Sequence, residues 1–375
     1  MRKLSLIEAA CLVAGAGIGG GVMAVPYLVT RTGLWPAILI MLAAYAVTLT
    51  LHVMIAELSI RTDYASELLT VFSKHLFHGR QAFRNIFYAL MAVTLICNLA
   101  AYITGSGEIL ADLFNIPQTA AMALFFAFAA FVVLLGLKQV AINETAVLTV
   151  MLALVLILAV FSFRLPEYRP LPPDRWAVSP MLAVYGMVMF SFSSLFAVPQ
   201  AASGLGGGKR LLMLAVGLGL FINLIVTIVI TLCTLLSSDT VTEVAIVGWA
   251  EALGGKTRVF GAIFIVLAML TTFWSISLQL SDMSKEYFHT GRFPAWLIAV
   301  APSFLLALSP LSGFLGFMQI AGGATALAIA FIAVPAYRNA TRHGEDLLLG
   351  SFGKSRILCG TIVIMYILMA AGSFL

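Results

Sequence analysis

Long apolar runs separated by short polar segments make up nearly the whole chain. They lie near 4–30, 34–59, 83–111, 119–137, 142–163, 179–203, 210–236, 257–284, 294–309, 313–335 and 356–375. A helix needs about 20 such residues to cross a bilayer. The pattern therefore predicts eleven membrane helices, the ninth of them short and containing Pro302. The expected class is an all-α polytopic membrane protein. The loops between the runs are short, so any active or binding site must lie inside the bundle.

Charge adds an orientation. Only 10% of the residues are charged, against about 25% in soluble domains. If the N-terminus is cytoplasmic, 15 of the 21 Lys and Arg fall on that side. The other six are Arg31, Arg164, Arg169, Arg175, Lys256 and Arg258. Basic residues favour cytoplasmic loops, which predicts an inside N-terminus and an outside C-terminus. The basic excess then reflects topology, and no nucleic-acid partner is expected. Cys11, Cys97, Cys233 and Cys359 all fall in apolar segments, where buried inert thiols are expected rather than disulfides or a metal knuckle. Arg2 and Lys3 precede an apolar run too long for a signal peptide, so no cleavable signal is expected.

Two runs carry breaks. Residues 15–21 read "GAGIGGG". The letters fit a dinucleotide fingerprint, but no strand precedes them and no carboxylate follows until Glu57. Glycine in a helix interior costs about 1 kcal/mol, and five fall in these seven residues. The first helix is expected to unwind here, with Pro26 closing the break. Gly15/Gly19 and Gly17/Gly21 also form small-x-x-x-small pairs, so close helix packing stays open as the alternative. The sixth run contains "FSFSSLFAVPQAASGLGGG", with Ser191, Ser193 and Ser194 in mid-span and Pro199 after them. "AVP" occurs at 24–26 and 197–199, but also at 333–335, so the spacing matters more than the tripeptide. One interrupted helix opens each five-helix half. This predicts inverted repeats over 1–165 and 176–340, an extra helix over 355–375, and a substrate site at the breaks.

Four stretches carry a family resemblance: "GAGIGGGVMAVPYLVTRTG", "AYITGSGEILADLF", "FSFSSLFAVPQAASGLGGGKR" and "TTFWSISLQLSD". The chain resembles the amino acid/polyamine/organocation superfamily with its LeuT-type fold. More narrowly, it is similar to the hydroxy/aromatic amino acid permease family of tyrosine- and tryptophan-permease type, related to amino acid/auxin permeases. The resemblance implies a 5+5 inverted repeat with broken helices 1 and 6 and an eleventh helix. It implies a symporter in the bacterial cytoplasmic (inner) membrane. By alternating access it would import a neutral L-amino acid, hydrophobic or aromatic, on a cation gradient. A permease for small hydroxy-amino acids such as serine or threonine is the alternative, as is a non-transporting amino acid sensor. The sixth helix departs from the tyrosine-permease pattern S-F-G-F-H-G-x-V-P: Ser193, Ser194, Leu195 and Phe196 stand where G-F-H-G would.

The implied site residues follow. Gly19, Gly20 and Gly21 offer backbone N–H groups at a helix N-terminus, which suits a substrate carboxylate. Tyr102, beside Ser106, offers a hydroxyl to the same carboxylate, with Asn98 a lesser candidate. Ser191, Ser193 and Ser194 face the amine, or back-bond to their own helix. Phe190 and Phe196 wall the side-chain pocket. Trp274 is expected to fill space. Glu108 is either functional or interfacial; Glu8 is expected to reach the inner interface; Glu57, Glu144 and Asp282 sit near predicted helix ends and are expected to be solvated. LeuT-type sodium sites use an alanine carbonyl and two hydroxyls spaced as Ala268, Thr271 and Thr272 are here. Alignment on Pro26 adds the carbonyls of Ala14 and Gly17. Sodium is thus the expected coupling ion, with the proton close behind, because tyrosine-permease relatives carry a similar pair and are regarded as proton-driven. No other cofactor is expected. Channel and enzyme readings lack a filter motif and convergent catalytic groups.

Overall fold

The computed structural model describes the chain except residues 1–3, 65–66, 78–79, 207, 243, 255–256, 311–313, 342–347 and 374; for residues 314–316, 318–320, 324, 326–327, 329–330 and 351 it describes the backbone alone. The described residues are all-α, without a strand. Eleven apolar runs become α1 (Leu6–Gly17) with α2 (Gly20–Thr32), α3 (Leu34–Ile60), α5 (Gln81–Phe114), α6 (Gln118–Leu135), α7 (Leu137–Ser162), α8 (Val178–Ser191) with α9 (Ala197–Leu205), α10 (Lys209–Ser237), α12 (Thr257–Phe288), α13 (Arg292–Ala307), α14 (Phe314–Thr341) and α15 (Arg356–Gly372). Among the described residues, six of these helices are long and apolar enough to cross a membrane, and α1 with α2 makes a seventh if taken as one bent span. Among the described residues, two short α-helices lie outside the eleven runs, α4 (Leu68–Phe72), continued by a π-helical turn over Ser73–Phe77, and α11 (Ala245–Ala252), along with a 3-10 turn over Gly350–Lys354.

Local chemistry sets the ends. Ser5 and Glu8 form a reciprocal capping box at the start of α1, which satisfies two of the orphan donors there. Gly33 joins α2 to α3 at φ 86°, the left-handed region, with Asp174 packed against it. A methyl there would clash with Asp174 as well as strain the backbone. Asp174 Oδ1 accepts from the Trp35 amide at 3.3 Å, and the Arg175 amide donates to Thr32 O at 2.7 Å. The Pro-rich segment around Asp174 is thereby docked on the α2–α3 turn.

The two interrupted helices meet in the middle of the bundle. A side chain on Gly17 would strike Ser194 Oγ and Asn223 Nδ2, and one on Gly21 would touch Phe190 and Ser191. Helix α1 also packs on α7, α10 and α12. These contacts, with Tyr102 of α5 beside Gly19, put the two breaks, α5, α10 and α12 around one point.

Several carboxylates differ from expectation. Glu57 is buried, not solvated: it takes Arg61 at 2.8 Å, the Tyr337 hydroxyl at 3.2 Å and the Leu348 amide at 3.1 Å. Glu144 is fully buried, and Asp282 is half-buried. Their helices run on into packed protein, so nearness to the end of an apolar run does not bring water. Glu8 pairs with Lys138 at 2.6 Å, and Glu108 is exposed. The four cysteines are buried and unpaired. Trp274 is buried against Phe128.

Candidate functional site

Helix α1 stops at Gly17 and the chain turns by 52° into α2. The Ile18 amide closes back on Ala14 O at 2.9 Å, and the Gly19 amide donates to Gly17 O at 2.9 Å. Helix α2 begins immediately, at Gly20, and Pro26 lies inside it rather than closing the break. The glycine run itself therefore makes the break. The first amides of α2 have no preceding helical turn to bond to, and its dipole adds positive potential at that end.

Helix α8 stops at Ser191, and five residues pass before α9. Freed backbone groups there are taken up by side chains from distant helices. Asn223 Nδ2 of α10 donates to Ser191 O at 2.7 Å. The Ser194 amide donates to His52 Nε2 of α3 at 3.0 Å. His52 Nδ1 lies 2.7 Å from Thr48 O. A carbonyl only accepts and an amide N–H only donates, so His52 stands as the neutral Nδ1–H tautomer. Both side chains are fully buried. Neither was singled out from the sequence. The available signal was a lone histidine and a lone asparagine well inside apolar runs, where polar groups seek partners on other helices.

Between the breaks lies a cavity lined by Ala16, Gly17, Gly19 and Gly21 of the first broken helix and by Phe190, Ser191, Ser193, Ser194 and Phe196 of the second. Asn98 and Tyr102 of α5, Thr272, Ser275 and Ile276 of α12, and Thr325 of α14 complete it. Its volume is about 30 Å³, room for one or two waters. Among the described residues, no Asp, Glu, Lys, Arg or His lines it. Asn98 Oδ1, Ser194 Oγ and Ser275 Oγ are buried without a hydrogen-bond partner among the described residues. Buried polar atoms are seldom left so, and these three border the space a ligand would fill.

Of the residues expected at the substrate, Gly19, Gly21, Tyr102, Phe190, Ser191, Ser193, Ser194 and Phe196 do line the cavity, while Gly20 and Ser106 do not. Ser106 Oγ instead donates to Met269 Sδ at 3.2 Å, between α5 and α12. Tyr102 and Thr272 both stand over Gly19: a methyl there would lie 3.2 Å from Tyr102 Oη and 2.7 Å from Thr272 Oγ1. Asn98, a lesser candidate from sequence, is in the lining, as are Ala16, Ser275, Ile276 and Thr325.

Beneath the cavity, Thr271 Oγ1 and Thr272 Oγ1 each donate to Ala268 O at 3.0 Å. Thr272 Oγ1 also reaches Gly15 O at 3.3 Å. The carbonyl of α1 that Thr272 touches is thus Gly15, between the aligned Ala14 and Gly17. Two hydroxyls and an alanine carbonyl do converge within one turn of α12, a donor set of hard neutral oxygens that fits a cation such as sodium.

The comparisons with known proteins extend over the same ground. A glutamine transporter of Aliivibrio fischeri is 23% identical, over 88% of this chain and 87% of its own length. A tyrosine-specific transport system of Haemophilus influenzae is 24% identical, over 94% of this chain and 92% of its own. Among solved structures, MhsT in complex with L-phenylalanine superposes with a TM-score of 0.70 at 17% identity, covering 100% of both chains. A manganese transporter of Eremococcus coleocola superposes with a TM-score of 0.69 at 15% identity, over 98% of this chain and 85% of that one. The likeness to these transporters is one of fold, the LeuT-type fold. The model of the tryptophan/tyrosine permease family matches residues 2–374. This chain, with a cavity between its two broken helices, belongs to the tryptophan/tyrosine permease family.

Proposed function

We propose that this protein is a symporter that imports a neutral L-amino acid on a cation gradient, by alternating access, in the bacterial cytoplasmic membrane with its N-terminus inside. It acts as a carrier and not as an enzyme or a sensor. The observation that carries the reading is the cavity between the two helix breaks, which no charged side chain among the described residues lines. A substrate carboxylate is bound by the α2 N-terminus at Gly19 and Gly21 together with Tyr102. The ammonium group is met by carbonyls and hydroxyls of the α8–α9 break. A charged substrate side chain would find no counter-ion among the described residues of this lining, which argues for a neutral one.

Phe190, Phe196 and Ile276 offer an apolar wall for a hydrophobic or aromatic side chain. A second reading has its own support. The unpartnered oxygens of Asn98, Ser194 and Ser275 and the small cavity favour a compact side chain with a hydroxyl or amide. Sodium is the proposed driving ion, held at Ala268, Thr271, Thr272 and the carbonyls around Gly15. Two inverted repeats, over 1–165 and 176–340, would supply the two broken helices and rock against each other about this site.

The test is competition for labelled amino acid uptake into proteoliposomes with sodium and proton gradients imposed separately. Displacement by neutral amino acids under a sodium gradient supports the reading. Displacement by charged amino acids alone refutes it. Uptake that follows only a pH gradient, and survives Thr271→Val with Thr272→Val, refutes sodium coupling.

A further inference from the structure

Two arginines at one end of the bundle take no part in the substrate cavity. Arg338 lies in the last turn of α14, and Arg356 opens α15. Both are exposed, and among the described residues neither makes a salt bridge. Two acids between them in sequence, Glu345 and Asp346, lie outside the described residues. Basic residues favour cytoplasmic helix ends generally. What sets this pair apart is the groove that the two share.

Arg338 and Arg356 line one cavity between α14 and α15, of about 510 Å³, within the range of small-molecule sites. Among its described lining residues there is no Asp or Glu. Its polarity is graded. The arginines stand at the helix ends, Val334 and Pro335 lie a turn farther into α14, and Val363 and Ile364 lie two turns into α15. At 1.5 Å per residue, the stretch from Arg356 to Ile364 covers about 12 Å. The rim on α15 faces outward: Ile357 is 82% exposed and Ile364 59%. Apolar side chains so exposed on a membrane helix meet acyl chains. The groove thus opens to the bilayer, charged at its interfacial end and apolar toward the membrane core, which is the polarity of an amphiphile. Gly360 belongs to its wall, and nothing lies within 4 Å of the point where a side chain there would begin. The protein leaves that space unfilled.

We propose that this groove binds an anionic phospholipid, with Arg338 and Arg356 on the headgroup phosphate and an acyl chain along Val334, Val363 and Ile364. Guanidinium groups pair with phosphate oxygens in bidentate fashion, and basic pockets between membrane helices suit such headgroups. A headgroup amine would bring a further cation to a lining that already holds two, so a lipid of net negative charge is selected. In the orientation proposed above, it comes from the cytoplasmic leaflet. Helix α15 packs on α8 as well as on α14. The bound lipid therefore fastens the eleventh helix, and with it the frame behind the second break.

The test is thermal unfolding of the delipidated full-length protein in detergent, titrated separately with phosphatidylglycerol, phosphatidylcholine and inorganic phosphate at fixed ionic strength. Phosphatidylglycerol should raise the wild-type midpoint in a saturable way that neither of the others matches. Arg338→Gln combined with Arg356→Gln should weaken the apparent affinity about thirtyfold, the worth of two basic residues beside an anionic headgroup. Lys209→Gln combined with Arg210→Gln removes two exposed basic residues at the start of α10, outside the groove; it should respond as wild type does. Gly360→Phe keeps both arginines and fills the groove, so it should lose the response. That variant decides the matter if the double arginine variant gives no cooperative transition. An equal response to phosphatidylcholine or to inorganic phosphate overturns the proposal, as does no response to phosphatidylglycerol. So does a wild-type response in either groove variant. An equal loss in the Lys209 and Arg210 variant would mean general charge attraction and overturns it as well.

Discussion

Gly19→Ala places one methyl group where the first broken helix meets α5 and α12. The backbone at Gly19 has φ −130° and ψ −152°, extended geometry that alanine adopts without strain. The cost is therefore steric. The new carbon would sit 2.7 Å from Thr272 Oγ1 and 3.2 Å from Tyr102 Oη. Neither neighbour yields easily. Thr272 is β-branched and stiff at χ1, and its hydroxyl is held by Ala268 O and Gly15 O. Tyr102 is 2% exposed. Overpacking of this kind costs about 1–3 kcal/mol, or roughly 5- to 150-fold in an equilibrium constant. The same methyl also intrudes on the proposed carboxylate position. Binding of a labelled neutral amino acid to purified protein should therefore weaken by at least that range. Gly217→Ala on α10 is the control, since nothing lies within 4 Å of its added carbon; it should bind as wild type does. If Gly19→Ala binds and transports normally, Gly19 does not face the substrate and the site assignment fails.

Other perturbations test the supports of the site. His52→Phe keeps a ring but removes the acceptor for the Ser194 amide, and a buried unpaired amide costs about 1–3 kcal/mol. It should lower both the unfolding midpoint and substrate affinity, and a variant unchanged in both would show that His52 does not hold the α8–α9 break. Glu67 lies before α4, outside the spans, where burial above all, aided by Glu286, pushes its carboxyl up to about 7 despite the Thr70 amide at 2.9 Å. The fold disfavours its ionised form, so this contribution to stability is full below the ordinary 4.5 and is lost as pH rises through about 7. Midpoints measured from pH 4.5 to 8 should decline less for Glu67→Gln than for wild type, and parallel curves would refute the burial argument.

Much of the fold was legible because membrane helices announce themselves by length. The run at 34–59 became Leu34–Ile60, and the run at 210–236 became Lys209–Ser237. Helices α4 and α11 were missed because eight residues or fewer give no spanning signal. The breaks were legible for a different reason: clustered glycine weakens a helix interior, and although such clusters also serve close packing, two of them opening the two five-helix halves pointed to breaks. Position around the break was not. Gly19 and Gly21 line the cavity while Gly20 between them does not, because Gly19 is still extended and the helix begins only at Gly20, a boundary that no local sequence rule supplies. Ser106 sits one turn from Tyr102 yet packs on Met269. His52 lies 142 residues from Ser194 and Asn223 lies 32 from Ser191. They serve the break through its backbone, and only the tertiary fold joins them. Glu144 was misread as solvated for the same reason: burial depends on what packs over a helix end, not on where the apolar run stops.

Counterflow bears most directly on the central claim that the cavity between the breaks carries a neutral amino acid. Proteoliposomes preloaded with an unlabelled neutral amino acid should accumulate the labelled form transiently. That accumulation should be suppressed by other neutral amino acids, left intact by charged ones, and lost in Gly19→Ala while Gly217→Ala retains it. Absence of exchange for every neutral amino acid, with the protein folded and inserted, would contradict the account.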